Sequence, residues 1–173
     1  MLSWGRTLVD GEVHDRLHLA RQLTGLGETA LPLLEDVLTN RATYQSEQLP
    51  KAVGLEWFTV VCWTIGQIGG KQALRILHDH ERFSDCRHAA TAAAERMANT
   101  GVLVVFSGNA FAEPSLTAAR VPVAEGAKVR ATDGPIASKD SQGGSITFLP
   151  VETLDGTGSR AYIAVDPEFP AFY

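Results

Sequence analysis

The feature that most constrains this chain is a change of grammar at about residue 100. Up to about Asn99 the sequence is rich in Ala and Leu at helical spacing, whereas from Gly101 onward Val, Thr, Ser, Gly and Pro dominate. Helices and strands distribute apolar side chains with different periods, so the two halves call for different element types. Gly101 sits where a helix carboxyl cap belongs. The run Val102-Leu103-Val104-Val105-Phe106 that follows is short, apolar and β-like, and it ends in Ser107-Gly108-Asn109. The expected fold is α+β, with a helical domain over residues 1–99 and a small β domain over 100–173.

One phrase occurs twice in the helical half. Leu23, Leu26, Gly27, Ala30, Leu31, Leu33 and Leu34 line up with Ile65, Ile68, Gly69, Ala73, Leu74, Ile76 and Leu77. Each copy reads as helix, glycine turn, helix. The Ala-rich stretch from Arg87 to Met97 supplies a third first-helix, and its small side chains let neighbouring helices approach closely. Repetition at this period is the signature of an α-solenoid, in which each unit buries its apolar face on the next. The phrase Leu26-Gly27-Glu28-Thr29-Ala30-Leu31-Pro32-Leu33-Leu34 resembles the HEAT-like repeats of phycobilisome lyases and bacterial scaffold proteins, over about residues 13–98. That resemblance implies a short stack of HEAT-like helix pairs. The segment Arg41 to Ala52 interrupts the period, and Leu55 to Ile68, apolar almost all round, reads as a central buried helix.

The second half offers five short β runs between turn signals: Val102 to Phe106, Arg120 to Val123, Lys128 to Thr132, Ile146 to Val151 and Ala161 to Val165. Five such strands fit a small barrel. Asn109 to Ser115, Val123 to Val129 and Gly158 to Val165 resemble, in that order, the opening, hairpin and final strand of bacterial SH3-type domains, over about residues 101–168. The Arg and Trp usual in that family are absent, so no cell-wall ligand carries over.

Charge narrows the partner classes. The formal net charge is −5, and neither half is basic: residues 1–100 hold ten basic and twelve acidic side chains, and the remainder five and eight. Nucleic-acid affinity draws heavily on phosphate neutralisation, so nucleic acid is not an expected partner. No window approaches the roughly 18 apolar residues of a membrane span, and the first ten residues lack a leader pattern. Cytoplasm is then the default setting, unless a leader has been removed. Cys62, inside an apolar run, and Cys86, beside Asp85 and Arg87, do not read as a disulfide framework.

Candidate chemistry is sparse. His78, His80, Cys86 and His88 are four potential zinc ligands within one helix-loop-helix, but residues two apart on a helix point in different directions, so an exposed polar helix end is the reading. His14 and His18 have the i, i+4 spacing that grips a metal, with no third ligand nearby. Cys86 is the attractive nucleophile, near Arg87 and His88 at a helix start; a working Cys-His pair, however, needs adjacency in space. Gly66, Gly69, Gly70 and Lys71 superficially resemble a phosphate loop but lie between helices without the preceding strand.

These observations point to a non-catalytic adaptor or accessory subunit of a larger complex or homo-oligomer, binding protein and needing no cofactor. Glu35, Asp36, Arg75, His78, Asp79 and Arg82 are the polar positions expected on the second helices and so on a partner-facing surface. The tail, with Phe169, Phe172 and Tyr173 crowded around Pro167 and Pro170, carries more aromatic surface than a disordered end does. It is expected to fold back on the helical lobe or to dock on a partner. The alternatives are a bilin or cofactor lyase with chaperone-like character, which the phycobilisome-lyase resemblance implies, and a small metal-binding regulator.

Overall fold

A computed structural model describes residues 2–44, 57–107, 109–139 and 143–173. Most of the interrupting segment Arg41 to Ala52 and the start of the helix expected from Leu55 lie outside the described residues. The chain divides into two compact units, Met1–Met97 and Ala98–Tyr173.

The first unit is helical: α1 (Leu2–Asp10), α2 (Val13–Leu26), a single 3-10 turn (Gly27–Ala30), α3 (Leu31–Thr39), α4 (Arg41–Tyr44), α5 (Trp57–Ile68), α6 (Gly70–Asp79) and α7 (Ser84–Met97). Both copies of the repeated phrase do form a helix, a turn and a second helix. Their turns hinge on Gly27 and Gly69, at φ 60° and 69°, a left-handed region that side chains disfavour. Pro32 sits in the first turn of α3, where its missing N–H would have had no helical partner.

The copies nevertheless do not stack as a solenoid. In a solenoid each unit touches only its neighbours. Here α5 packs against α1, α2, α3, α6 and α7 together, which makes it the hub of a helical cluster. The all-round apolar sequence of α5 causes this, because a helix with no polar face must be covered on every side. The HEAT-like resemblance is therefore corrected: repeated helix pairs are present, and a repeat array is not. Leu26 and Ile68, matching positions of the repeated phrase, show the same thing locally. Leu26 is 49% exposed, and Ile68 is only half-buried, whereas Leu34, Ile65 and Leu77 are wholly buried.

Small residues set the closest approach in this unit. A Cβ added at Gly66 of α5 would lie 3.0 Å from the Ala89 Cβ and 3.3 Å from its carbonyl oxygen, on α7. The proximity brings the Cα atoms of Cys62 and Cys86 to 4.9 Å, and the two form a disulfide. Closing a loop of this size stabilises a fold by about 3 kcal/mol in the chain-entropy account. The reading that Cys62 and Cys86 form no disulfide framework fails because it rested on their sequence neighbours, while helix packing decides who meets. Beside the bond, the Thr59 hydroxyl donates to the buried Asp85 carboxylate at 2.6 Å. We expect Gly66→Ala to destabilise the protein by about 1–3 kcal/mol through overpacking against Ala89. Gly25→Ala, in a helix with open space around it, should be neutral or stabilising by up to about 1 kcal/mol. Urea unfolding followed by tryptophan fluorescence reads both; equal effects would show that the α5–α7 approach is not tight.

The second unit is an antiparallel sheet of β1 (Val102–Val104), β2 (Ala110–Phe111), β3 (Lys128–Ala131), β4 (Ile136–Lys139), β5 (Ser145–Thr153) and β6 (Arg160–Val165). Its order is β1-β3-β5-β6-β2, with β4 also paired to β5. β1 and β2 are the outermost strands and do not pair with each other, so the sheet is open. This corrects the expected closed SH3-like barrel. Arg120 to Val123 was expected as a strand; within it, Arg120 makes only an isolated bridge to Phe111. β2 and β4, which the sequence reading passes over, complete the sheet. Val105, Val129, Val151, Ile163 and Ala161 form the core on one face, in line with the alternating burial along β6.

The aromatic tail belongs to this unit. Val105 and Phe172 form a β-bridge, the Phe106 N–H donates to the Ala171 carbonyl at 2.9 Å, and the Tyr173 N–H donates to the Val104 carbonyl at 2.9 Å. The tail thus covers the outer edge of β1, and an exposed edge is a liability that proteins blunt. No helix among the described residues is long and apolar enough to cross a membrane.

Candidate functional site

The sequence-derived surface residues converge in part. α3 and α6 lie side by side, and Arg75 bridges them: its Nη2 lies 3.1 and 3.3 Å from the two Glu35 carboxylate oxygens, and its Nη1 lies 3.2 Å from Asp79 Oδ2. His78 Nδ1 pairs with Glu81 one turn on. Arg82 stacks its guanidinium 4.9 Å above the Phe83 ring, which itself stacks on Phe58 at 5.1 Å. With side chains about half exposed, these ion pairs add little stability, and their consequence is a preorganised charged face.

Asp36 points to a different neighbour. It accepts from Asn40 at 2.6 Å and from the Tyr44 hydroxyl, and these hydrogen bonds, that from Tyr44 above all, hold its carboxyl below the ordinary carboxylate range. The same carboxylate raises the Tyr44 hydroxyl. Tyr44 can reach it because Gly5 of α1 has no side chain; a Cβ there would overlap the tyrosine ring.

The four zinc candidates do not converge among the described residues. His78 is exposed and engaged by Glu81, His80 ends α6, and Cys86 has its sulfur in the bond to Cys62. Burial pushes the His80 imidazole below its usual value, helped by Arg82 and opposed by Asp79 and Glu35. Burial likewise lowers His88, on α7. His14 and His18 are both exposed, and His18 bonds the Gln22 amide at 3.0 Å. The disulfide also removes Cys86 as a nucleophile.

In the β unit the three tail aromatics separate. Tyr173 is 2% exposed, tilted against Phe106 with centroids 4.9 Å apart, and its hydroxyl donates to Glu125. Phe172 is half-buried against the core. Phe169 alone turns outward, at 43% exposure. It borders a groove of about 410 Å3 whose other walls include Leu116, Ile146, Val165 and Pro170, with Asn109 and Asp166 at polar points. Leu116 is also 49% exposed, so two large apolar side chains flank one open groove. Leu116 was missed because a lone leucine in a Ser/Thr-rich loop carries no periodic signal.

A second, smaller cleft of about 260 Å3 lies along the sheet between Ile136, Pro150, Tyr162 and the charged Asp133 and Arg160. Across the neighbouring strands Arg130 faces Glu152, and Glu152 faces Arg160, a row of alternating charge. Asp155 accepts from Thr157 and Thr153, bonds that hold its carboxyl low and lock the Asp155-Gly156-Thr157 turn. Compared with protein-family models, curated proteins and solved structures, the chain matches none.

Proposed function

We propose that the chain is a non-catalytic protein-interaction module, an adaptor or accessory subunit of a larger assembly. The observation that carries this reading is the apolar groove of the β unit, with Leu116 and Phe169 exposed along its walls. Large apolar side chains clustered at an open groove cost solubility, and in folded proteins they mark contact sites. The charged α3–α6 face supports the same reading. Its pairs hold Arg75, Glu35 and Asp79 in fixed geometry, which favours specificity and rate of encounter over raw affinity.

The reading is tested by affinity purification from the native host, comparing the wild type with Phe169→Asp, Leu116→Asp and Arg75→Glu. All three side chains are exposed, so circular dichroism and melting should remain unchanged. A common set of captured proteins should be lost with the groove variants and weakened, in a salt-dependent way, with Arg75→Glu. Identical capture by the wild type and all three variants would rule out both surfaces.

A further inference from the structure

We infer that Cys62 and Cys86 are oxidised by a thiol–disulfide oxidant while the helical unit is still open, and that closure of the unit then seals their bond against reductants. Both cysteines are 0% exposed, on α5 and α7, with Cα atoms 4.9 Å apart. Thiol–disulfide exchange needs a thiolate to approach a sulfur directly, and a sulfur without accessible surface offers no path. The bond therefore forms before α5 and α7 close on each other through Gly66 and Ala89.

The chemistry is a two-step exchange. One cysteine thiolate attacks a sulfur of the oxidant's disulfide, forming a mixed disulfide and expelling one oxidant thiolate. The other cysteine thiolate then attacks the protein sulfur of that mixed disulfide and expels the oxidant as its dithiol. The protein loses two electrons and two protons, which the oxidant gains. Redox-sensing cysteines work the other way, keeping a thiolate within reach of solvent. Neither sulfur here is within reach, so the bond is a staple and not a sensor. Such bonds form where disulfide oxidants are maintained, which places the protein's maturation in an oxidising compartment instead of the cytoplasm that the sequence made the default.

The test uses the unmodified chain. Host cells are quenched in acid, thiols are blocked with N-ethylmaleimide under denaturing conditions, and the intact mass is measured. The expected protein carries no maleimide and is two hydrogens lighter than its reduced sequence. The purified native protein is then treated with dithiothreitol, and release of thiols should be on the order of a hundredfold or more slower than in denaturant, since reduction must wait for opening. Maleimide on both cysteines in the host sample, or equal reduction rates in native and denaturing buffer, overturns the inference.

Discussion

Deleting residues 167–173 is expected to destabilise the β unit by several kcal/mol, and Tyr173→Ala alone by about 3–5 kcal/mol, the range for removing a large buried aromatic. Three interactions go at once. The Tyr173 ring leaves its site against Phe106, the hydroxyl leaves Glu125, and the deletion strips the Val104 carbonyl and the Phe106 N–H of their partners. Phe169→Ala, by contrast, removes a ring that is 43% exposed and should change stability by no more than about 0.5 kcal/mol. The three tryptophans, Trp4, Trp57 and Trp63, all lie in the helical unit. Their fluorescence therefore reports the helices, and the β unit is followed by amide hydrogen exchange at Phe106 and Val105. If Tyr173→Ala and Phe169→Ala have equal effects, the tail does not pack as described.

Leu34→Ala and Leu77→Ala should each cost about 2–5 kcal/mol, through lost transfer energy and the cavity left behind. Both side chains are 0% exposed and occupy matching places in α3 and α6, the second helices of the two copies. Leu26→Ala is the control, because its side chain is 49% exposed and should move stability little. Chemical denaturation followed by tryptophan fluorescence measures all three. A loss below about 0.5 kcal/mol at Leu34 or Leu77 would falsify the assignment of these leucines to the core.

Much of the local structure was legible because local physics decides it. The helices on either side of Gly27 and Gly69 follow from apolar spacing and from residues that tolerate positive φ. β3, β5 and β6 follow from short β-type runs between turn signals. What was not legible depends on neighbours distant in sequence. β2 has only two residues, too few to show a period, and β4 has the burial pattern of an exposed strand between turn signals. The repeated phrase specified helix pairs but not their stacking, because α5 was free to gather partners on all its faces. The same limit hid the disulfide: nothing near Cys62 or near Cys86 announces the other, 24 residues away. At the candidate site the sequence pointed to Arg75, Glu35 and Asp79, which the fold does join. It could not separate Phe169, which faces outward, from Tyr173, which faces in.

The pairing of Val104 with Tyr173 also bears on the order in which the molecule is made. During synthesis β1 emerges well before the residues that cover its outer edge. Contacts of such high sequence separation form slowly, and an unpaired edge is exposed meanwhile. The partners that α5 gathers, α1, α2, α3, α6 and α7, all lie before residue 98 and are available long before that moment. Vectorial folding should thus complete the helices first and hold the β unit incomplete until residue 173 has cleared the tunnel.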